Sequence, residues 1–436
     1  MDFSSIPKKI TNCSCGLVHS CDIEDIFIEK GANKKIPALI SAAGYKDVVV
    51  VSDNNTHPLC ASDIATDLKA HGIKVAEMIY VSDGVLVPNE KSIIKLLEKV
   101  TTKTDIIIGL GSGVINDICK YVSFKLRLPY IIVATAPSMD GYASTGAAMI
   151  IENMKITYSA HVPKAIIGDT DILRMAPIDL IKAGLGDMIG KLSCLNDWKI
   201  SHLVTNEILC NNIYELTENA VRQCINNIDG ILGRNEDSIQ RLMEGLVVVG
   251  IAMSYMNNSR PASGSEHHLS HFYEVISIMS GEKCFLHGID VAYSTAVTNA
   301  LRKMLSTENP VNFTYRFNDD KWQADIKNIY GKAAEGVIAL QKKLGLYSNS
   351  NLTRIIENWD EIRKVLSEAM SYEQTVTLLK RADLDINEFY DFYGIEMIKD
   401  SISYAKDLKD RYTMFWLLQD IGLLNKYADE FTSGAF

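Results

Sequence analysis

The first 113 residues alternate between short β-branched runs and longer segments with helical spacing, and this order restricts the possible folds more than any other feature. Strands are predicted at residues 25–32, 47–53, 74–81 and 104–113, and a predicted helix separates each from the next. The run DVVVVSD at 47–53 lacks polar alternation, which is typical of a parallel strand covered on both faces. Because parallel strands need crossover connections, the alternation predicts a doubly wound, Rossmann-like parallel sheet.

From about residue 175 the chain changes to segments rich in Ala, Leu, Ile, Met, Lys and Glu. Apolar residues recur there at intervals of three and four, as in SIQRLMEGLVVVGIAMSYM, which predicts amphipathic or buried helices. A length of 436 residues also favours two domains. We therefore predict an α/β dinucleotide-binding domain over residues 1–175 and an all-helical metal- and substrate-binding domain over residues 176–436.

Charge and cysteine usage narrow the class of protein. The net charge of −10 argues against a nucleic-acid partner, which needs clustered Lys and Arg, so the expected partner is a small molecule or another copy of the chain. No signal peptide or membrane span is expected. Nine scattered cysteines, an odd number, are unlike the dense, even spacing of a disulfide scaffold. We therefore expect free thiols and a cytoplasmic protein.

One cysteine cluster has metal-ligand residue types. The segment CSCGLVHSC contains Cys13, Cys15, His19 and Cys21. Structural zinc sites usually combine two well-separated pairs of ligands, and this segment offers one C-x-C with a single partner group. A reduced N-terminal hairpin is therefore favoured over a metal site, and the role of the cluster stays open.

A glycine-rich turn follows the strand at 104–113. Gly109, Gly111 and Gly113 precede a predicted helix whose first turn carries Asn116 and Asp117. Backbone without a Cβ can approach a diphosphate, and the free N–H groups of a helix start attract anions. The pattern is consistent with dinucleotide binding, and equally with a plain strand-to-helix turn.

Asp53 ends the predicted strand at 47–53. An acidic side chain at this place commonly accepts hydrogen bonds from the adenosine ribose hydroxyls and disfavours a 2′-phosphate. This interpretation predicts NAD as cofactor, with NADP possible. The alternative is that Asp53 only caps the following turn.

Histidines cluster in the segment SRPASGSEHHLSHFYE, at His267, His268 and His271. His267 and His271 are four residues apart and share one face of a helix. His287 begins another predicted helix. Imidazole is the commonest ligand of zinc-like ions, so the cluster predicts a metal site.

A third ligand should be anionic, and the segment GLGDMIGK supplies Asp187. An acid inside an apolar helix costs several kcal/mol unless it is paired or bound to a metal. Asp, His and His with an open position suit a catalytic Lewis acid. A salt bridge between Asp187 and Lys191 is the alternative.

Five motifs in the order GSGVINDICKY, TAPSMDGYAS, GLGDMIGK, SRPASGSEHHLSH and LHG resemble those of the sn-glycerol-1-phosphate dehydrogenases, particularly the bacterial type. This family belongs to the wider group of iron-containing alcohol dehydrogenases, glycerol dehydrogenase and dehydroquinate synthase. The resemblance runs from the CSCG segment to about residue 300 with collinear spacing. It implies an α/β domain followed by a helical domain, as the patterns also predict.

The resemblance assigns roles to particular residues. It implies that Asp187, His267 and His287 hold one divalent metal ion, nickel or zinc, and that Asp140, Asp187 and His271 contact substrate, with Asp187 and His271 catalytic. It implies that the cofactor contacts are Asp53, Gly113, Val114, Ile115, Asn116, Asp117, Thr135, Ala136, Pro137, Ser138 and Ser144. The polar loop 134–147 would then face cofactor and substrate.

Two departures favour glycerol phosphate chemistry within the group. Iron-type alcohol dehydrogenases usually carry a further His four residues after the Asp ligand, where this chain has Lys191. Dehydroquinate synthases typically carry Glu in place of Asp187. The remaining alternatives are a glycerol or other polyol dehydrogenase of the same fold, a dehydroquinate synthase-like cyclase, and a binding protein that kept the fold without catalysis.

The implied reaction is the reversible NAD(P)H-dependent reduction of dihydroxyacetone phosphate to sn-glycerol 1-phosphate. His271 is expected to pass the proton and Asp140 to orient a hydroxyl. Lys155, Lys191 and Arg260 are candidates for binding the phosphate. The resemblance further implies a cytoplasmic homodimer that serves phospholipid biosynthesis.

Overall fold

The computed structural model describes residues 3–82, 84, 86–151, 154–310, 313–315, 317–348 and 351–434. Ten strands are found in this part of the chain. They are β1 (Lys9–Ile10), β2 (His19–Ser20), β3 (Asp25–Glu29), β4 (Asp47–Asp53), β5 (Lys74–Tyr80), β6 (Ile106–Gly111), β7 (Tyr130–Ala134), β8 (Gly146–Ile151), β9 (Met154–Ser159) and β10 (Ala165–Asp169).

Six of these strands form one parallel sheet in the order β3-β10-β7-β6-β4-β5. The sheet therefore contains the four predicted strands, and β7 and β10 complete it. Val48 to Val51 of β4 are fully buried, as their unbroken β-branched run predicts for a strand covered on both faces. The doubly wound sheet is confirmed.

The helices follow in chain order within the described residues. They are α1 (Ile36–Ala42), α2 (Ser62–Ala70), α3 (Glu90–Leu97), α4 (Gly113–Leu126), α5 (Thr170–Leu173), α6 (Ile178–Thr205), α7 (Asn211–Asn226), α8 (Ile228–Leu232), α9 (Glu236–Met256), α10 (Ser265–Ser280), α11 (His287–Leu305), α12 (Asp319–Tyr330), α13 (Ala334–Leu344), α14 (Leu352–Glu357), α15 (Trp359–Glu368), α16 (Tyr372–Arg381), α17 (Ile386–Tyr404), α18 (Met414–Asp420) and α19 (Leu424–Thr432). The helical second half is confirmed.

Two compact units divide the chain at other points than residue 175. The first comprises residues 1–185 and 219–259, and the second comprises residues 186–218 and 260–436. Segments 176–185 and 219–259 thus group with the sheet rather than with the later helices. Helix α9 packs against elements of the first unit. The last strand therefore does not mark the end of the first unit, because later helices also belong to it.

Helix α9 is long and apolar enough to cross a membrane by length and composition alone. However, 89% of its apolar window is buried inside the protein. A buried core helix can have the same length and hydropathy as a membrane span, and the burial of α9 is typical of a core helix.

Two antiparallel hairpins lie outside the large sheet. Strands β8 and β9 pair along their whole length, immediately after the polar loop 134–147. Strands β1 and β2 pair near the N terminus, with Ile10 opposite His19. The β8–β9 hairpin was not predicted, because it does not belong to the strand–helix alternation on which the prediction was based.

Candidate metal centre and cofactor turn

The predicted metal ligands all lie in the second unit, on three different helices. Asp187 lies in α6, His267 in α10, and His287 is the first residue of α11. One ligand atom from each residue lies within 4.8 Å of the other two. The side chains of Asp187 and His267 are buried, whereas that of His287 is 31% exposed. The structure thus brings together one carboxylate and two imidazoles that are distant in the sequence, with access from one side.

Each imidazole is oriented by a glutamate of α10. Nδ1 of His267 lies 2.7 Å from Oε1 of Glu266, and Nδ1 of His287 lies 3.1 Å from Oε1 of Glu274. Because a carboxylate only accepts hydrogen bonds, Nδ1–H donates in both pairs and leaves the lone pair on Nε2. Nε2 of His267 is accordingly the atom that lies 3.5 Å from Oδ1 of Asp187. This carboxylate–histidine arrangement is the usual support of metal-binding histidines.

Asp187 also forms an ion pair with Lys191, one helical turn later on α6. Both side chains are fully buried. Burial alone would raise the pKa of Asp187, but the Lys191 ammonium and the His267 hydrogen bond outweigh it and hold the pKa well below its usual value. Asp187 is therefore an anion, as a carboxylate that binds a metal ion must be. The salt bridge considered as the alternative is present together with the histidine group, and the two are compatible.

The other two histidines of α10 have different surroundings. The half-buried ring of His271 lies 5.4 Å from that of His287 and 6.0 Å from that of His267, between ring centroids. His268 is fully buried, and burial together with the nearby Arg411 guanidinium holds its pKa well below the usual value. Consequently His271 adjoins the ligand group, and His268 is a neutral core residue.

A buried ion pair fixes the N terminus of α10. Asp197 of α6 and Arg302 of α11 are both fully buried, with 2.9 Å between their charged atoms. Oδ2 of Asp197 accepts a hydrogen bond from the backbone N–H of Ser265 at 2.6 Å, and Arg302 donates to Oγ of Ser265 at 2.9 Å. Two charged groups therefore tie α6, α10 and α11 together two residues before His267.

Small residues allow α6 to approach α11 closely. A Cβ on Gly186 would lie 2.3 Å from the carbonyl oxygen of Gly288, and a Cβ on Gly190 would lie 2.3 Å from Cγ1 of Val291. Gly186 precedes Asp187, and Gly288 follows His287, so the point of closest backbone approach is next to two of the three ligands. The glycines of GLGDMIGK are thus required for helix packing.

Of the three phosphate candidates, Arg260 has a structural role in the described residues. Its guanidinium pairs with Glu207 at 2.5 and 2.8 Å and donates to the backbone oxygen of Tyr412 at 2.9 Å. The side chain of Lys155 lies outside what the structure describes, and Lys191 is paired with Asp187. Lys191 is therefore the candidate nearest the ligand group.

In the first unit, the glycines of the turn allow β6 to pack closely against α4. A Cβ on Gly109 would lie 2.8 Å from Sγ of Cys119, and a Cβ on Gly111 would lie 2.6 Å from Ile115. Helix α4 begins directly after the turn, and its N-cap residue Ser112 makes no side-chain capping hydrogen bond. The first N–H groups of a long helix are thus left for another acceptor, such as a diphosphate.

The predicted cofactor contacts lie around this turn in the same unit. Gly113, Val114, Ile115, Asn116 and Asp117 form the first turn of α4, and Thr135, Ala136, Pro137 and Ser138 follow the end of β7 at the same edge of the sheet. Strand β7 pairs with β6, so the two segments leave neighbouring strands. Their contact with a cofactor stays a prediction.

Asp53 is the last residue of β4, as predicted. Its Oδ1 accepts hydrogen bonds from the backbone N–H groups of Asn55 and Thr56, at 2.9 and 2.7 Å. The capping role considered as the alternative is thus observed. A role in ribose binding stays a prediction that would depend on the second carboxylate oxygen.

The polar loop 134–147 is held by buried hydrogen bonds. The hydroxyl of Tyr142 donates to the backbone oxygen of Ala136 at 2.7 Å. The backbone oxygen of Ala143 accepts from Oγ of Ser254 on α9 at 2.6 Å. A Cβ on Gly250 would lie 2.7 Å from the backbone oxygen of Asp140. The loop is therefore held in one position by hydrogen bonds and by close packing against α9.

Lys120 of α4 is the second anchor of this loop. Its Nζ lies 2.7 Å from the Gly141 oxygen, 3.0 Å from the Gly146 oxygen and 3.2 Å from Oγ of Ser144. Burial lowers the pKa of Lys120 to about 8, although Asp117 and Asp140 partly oppose the shift. Ser144, a predicted cofactor contact, is thus also part of the support of the loop.

Replacing Lys120 with methionine is expected to raise KM for NAD(P)H more than it changes kcat. The substitution removes the charged donor from the half-buried backbone oxygens of Gly141 and Gly146, which then keep Ser144 as their side-chain donor. A hydrogen bond to a charged group contributes about 1.5–3 kcal/mol to holding the loop in position. Initial-rate kinetics with varied cofactor measure the change. Lys125→Met, at an exposed position of the same helix, is the control, and an unchanged KM in Lys120→Met would contradict the prediction.

Several supporting residues were not predicted from the sequence. They are Glu266, Ser270, Glu274, Asp197, Arg302 and Lys120. Glu274 is seven residues after His267, so it lies on the same face of α10, and this spacing is a signal that could have identified it. Glu266 is adjacent to His267 and is ordinary for the first turn of a helix, while Ser270, Asp197, Arg302 and Lys120 make contacts with residues 17 or more positions away, for which no local pattern exists.

Comparisons with known proteins agree with this geometry. A model of the family described as iron-containing alcohol dehydrogenase matches residues 27–177. A glycerol-1-phosphate dehydrogenase (NAD(P)+) of Bacillus licheniformis is 30% identical over 425 residues, which cover 97% of this chain and 95% of the relative. A protein of the same name from Halalkalibacterium halodurans is 35% identical over 296 residues, covering 67% and 74% of the two chains.

Solved structures share the fold at low sequence identity. An archaeal alcohol dehydrogenase from a Red Sea brine pool aligns with a TM-score of 0.58 and 14% identity over 94% of this chain and 98% of that one. Glycerol dehydrogenase from Schizosaccharomyces pombe aligns with a TM-score of 0.55 and 16% identity over 96% and 94%. The fold, the ligand group and the near full-length relative together place this chain in the family of the glycerol-1-phosphate dehydrogenases, within the iron-containing alcohol dehydrogenases, and it is an oxidoreductase.

Proposed function

We propose that this chain catalyses the reversible reduction of dihydroxyacetone phosphate to sn-glycerol 1-phosphate, with NAD(P)H as the hydride donor and one divalent metal ion. The observation that carries the proposal is the convergence of Asp187, His267 and His287 within 4.8 Å. The relatives are named for glycerol 1-phosphate, and this supplies the substrate class.

The donor set fits a divalent cation. Asp187 is held as an anion by Lys191, and Glu266 and Glu274 accept the Nδ1 protons, so that an anionic oxygen and two Nε2 lone pairs are available. A divalent ion bound there would supply a Lewis acid for the C2 carbonyl oxygen, while the nicotinamide would supply the hydride. Nickel and zinc both suit this donor set, and we propose either as the metal.

His271 is proposed to move the proton. Its imidazole is half-buried and lies one helical turn from His267, so it can exchange protons with solvent and still adjoin the ligand group. Reduction places a hydride on C2 and a proton on its oxygen, and imidazole commonly serves as general acid and general base in such transfers. Asp140 is proposed to orient a substrate hydroxyl, and Lys191 to contribute positive charge toward the phosphate.

The cofactor is proposed to lie on the glycine turn with its diphosphate at the N terminus of α4. Support comes from the start of α4, whose N-cap residue Ser112 makes no side-chain capping hydrogen bond. NAD is proposed as the cofactor because of Asp53, with NADP also accepted. The cytoplasmic location, the homodimer and the role in phospholipid biosynthesis are proposed from the family alone.

An NADH-oxidation assay with dihydroxyacetone phosphate tests the function. The protein is stripped of metal with a chelator and then supplied with nickel, zinc or iron separately. We expect turnover only after metal is returned, and we expect sn-glycerol 1-phosphate by chiral analysis of the product. Turnover of unphosphorylated glycerol at an equal rate would instead favour a polyol dehydrogenase, and a reaction without net NADH consumption would favour a cyclase.

A further inference from the structure

The N-terminal hairpin β1–β2 carries a second group of metal-ligand side chains, in the first unit and separate from the catalytic ligands. We propose that Cys13, Cys15 and His19 bind a second metal ion of the thiolate-preferring class, such as zinc. One ligand atom from each of the three residues lies within 4.8 Å of the others. The inference goes beyond the proposed function and does not depend on it.

The backbone places both sulfurs on one turn. The carbonyl oxygen of Cys13 accepts a hydrogen bond from the N–H of Gly16 at 3.0 Å. Gly16 has a φ of +80°, in the left-handed region that favours glycine. The C-x-C-G segment is thus a tight turn that presents Cys13 and Cys15 together, and both side chains are half-buried. Access for an ion from solvent is therefore retained.

His19 is oriented as a metal-binding histidine. Its side chain is fully buried, and Nδ1 lies 2.8 Å from the backbone oxygen of Tyr255 on α9. A carbonyl only accepts, so Nδ1–H donates and Nε2 carries the lone pair. That Nε2 faces Sγ of Cys15 at 3.2 Å. A backbone carbonyl that fixes the tautomer of the ring is a recurrent partner of metal-bound imidazole.

The separations match a tetrahedral ion. Zinc–sulfur and zinc–nitrogen bonds of about 2.3 and 2.0 Å at tetrahedral angles put the ligand atoms about 3.5–3.8 Å apart. The Cys15–His19 distance of 3.2 Å and the 4.8 Å limit for the group bracket these values. Cys21, which the sequence placed in the same cluster, is not part of the group; its thiol is buried, and burial raises its pKa.

Binding here would fasten the hairpin to α9. The backbone oxygen of Tyr255 already accepts a hydrogen bond from His19, and the Tyr255 hydroxyl donates to the backbone oxygen of Pro7, so one residue of α9 contacts both sides of the hairpin. Ser254, the preceding residue, holds the loop at Ala143. An ion shared by the turn and His19 would stabilise the segment that packs beside the support of the cofactor loop. The proposed ion would therefore stabilise this segment and take no part in the hydride transfer.

Cobalt substitution tests the proposal, because thiolate-to-Co²⁺ charge transfer absorbs in the near ultraviolet and the catalytic ligands contain no sulfur. Full-length protein is stripped of metal under reducing, anaerobic conditions and titrated with Co²⁺. We expect the thiolate band in the wild type and in Asp187→Asn. Cys13→Ser and Cys15→Ser should lose the band and one equivalent of bound metal per chain, while Cys284→Ser, at an exposed cysteine, should keep both.

Absence of the band from the wild type, or its persistence in both Cys13→Ser and Cys15→Ser, would overturn the proposal and leave a thiol–imidazole hydrogen bond in its place. X-ray absorption spectroscopy of the zinc-loaded wild type identifies the ligand atoms directly, and it does not depend on whether a variant folds. Sulfur neighbours at about 2.3 Å support the site, and a shell of nitrogen and oxygen alone contradicts it. Loss of turnover without loss of the band would concern only the proposed function.

Discussion

Asp187→Asn is expected to lower kcat by about 10³-fold or more and to remove one equivalent of bound metal per chain. A Lewis acid that stabilises the developing alkoxide contributes several kcal/mol, and about 4 kcal/mol corresponds to about 10³-fold in rate. Asparagine keeps the size of the side chain but not its charge, and Asp187 is the anion among the three predicted ligands. Steady-state kinetics and metal analysis of the purified protein measure both effects.

The substitution also leaves Lys191 buried without its carboxylate. Removing one partner of a buried ion pair costs about 3–5 kcal/mol, so the variant could lose activity by unfolding. The double variant Asp187→Asn/Lys191→Met replaces the pair by neutral groups of similar volume and is the folded control. It should recover the thermal stability of the wild type while still lacking the metal and the turnover.

Lys191→Met alone separates the ligand from its partner. This variant keeps the carboxylate and both imidazoles, and we expect it to retain the metal equivalent. If Asp187→Asn kept full metal content and kcat, then the metal would not be held by the predicted ligands. A second informative outcome is loss of metal from Lys191→Met as complete as from Asp187→Asn. The second outcome would make the Asp187–Lys191 ion pair the essential feature.

The doubly wound sheet was predictable because its signal is local. The run at 47–53 contains four consecutive valines, and the structure buries all four, since helices must cover both faces of a parallel sheet. The β8–β9 hairpin has no comparable signal. It follows a polar loop outside the strand–helix alternation, and β8 contacts α4, which ends 20 residues before β8 begins.

The metal ligands were predictable for a related reason. Carboxylate and imidazole side chains in apolar helices require a partner, so Asp187 and the histidines of α10 stand out from their surroundings. What the sequence could not supply is the set of residues that orient them. Glu266 is ordinary for the first turn of a helix, and its role becomes visible only when His267 Nδ1 is found 2.7 Å away.

Gly16 and His19 show the same limit in the N-terminal cluster. Spacing alone favoured a reduced hairpin, because one C-x-C motif lacks a second pair of ligands. The tautomer-fixing contact of His19 with Tyr255 joins residues 236 positions apart, and no local pattern encodes it. Contacts between distant segments thus determine whether residues that can bind a metal are also oriented to bind one.

Gly186→Ala is expected to lower kcat by about 10²-fold and to weaken metal binding without removing any ligand. The added Cβ would lie 2.3 Å from the backbone oxygen of Gly288 and 3.0 Å from Cβ of Ala292. Backbone cannot rotate away as a flexible side chain can, so α6 and α11 must separate by about 1 Å to restore ordinary contact, and a displacement of that size can cost about 10²-fold in rate. Asp187 and His287 adjoin these two glycines, so their ligand atoms would move apart.

Metal titration of activity, together with thermal unfolding, distinguishes this effect from general destabilisation. Overpacking costs about 1–3 kcal/mol, which a protein of this size can tolerate, so Gly186→Ala should remain folded and recover part of its turnover at higher metal concentration. Gly336→Ala, at an exposed position of α13, is the matched control; it should be stabilised by up to about 1 kcal/mol and keep its activity. Wild-type metal affinity in folded Gly186→Ala would show that the contact of α6 with Gly288 does not position Asp187 and His287, and the ligand geometry would then have to be set by the Asp197–Arg302 pair alone.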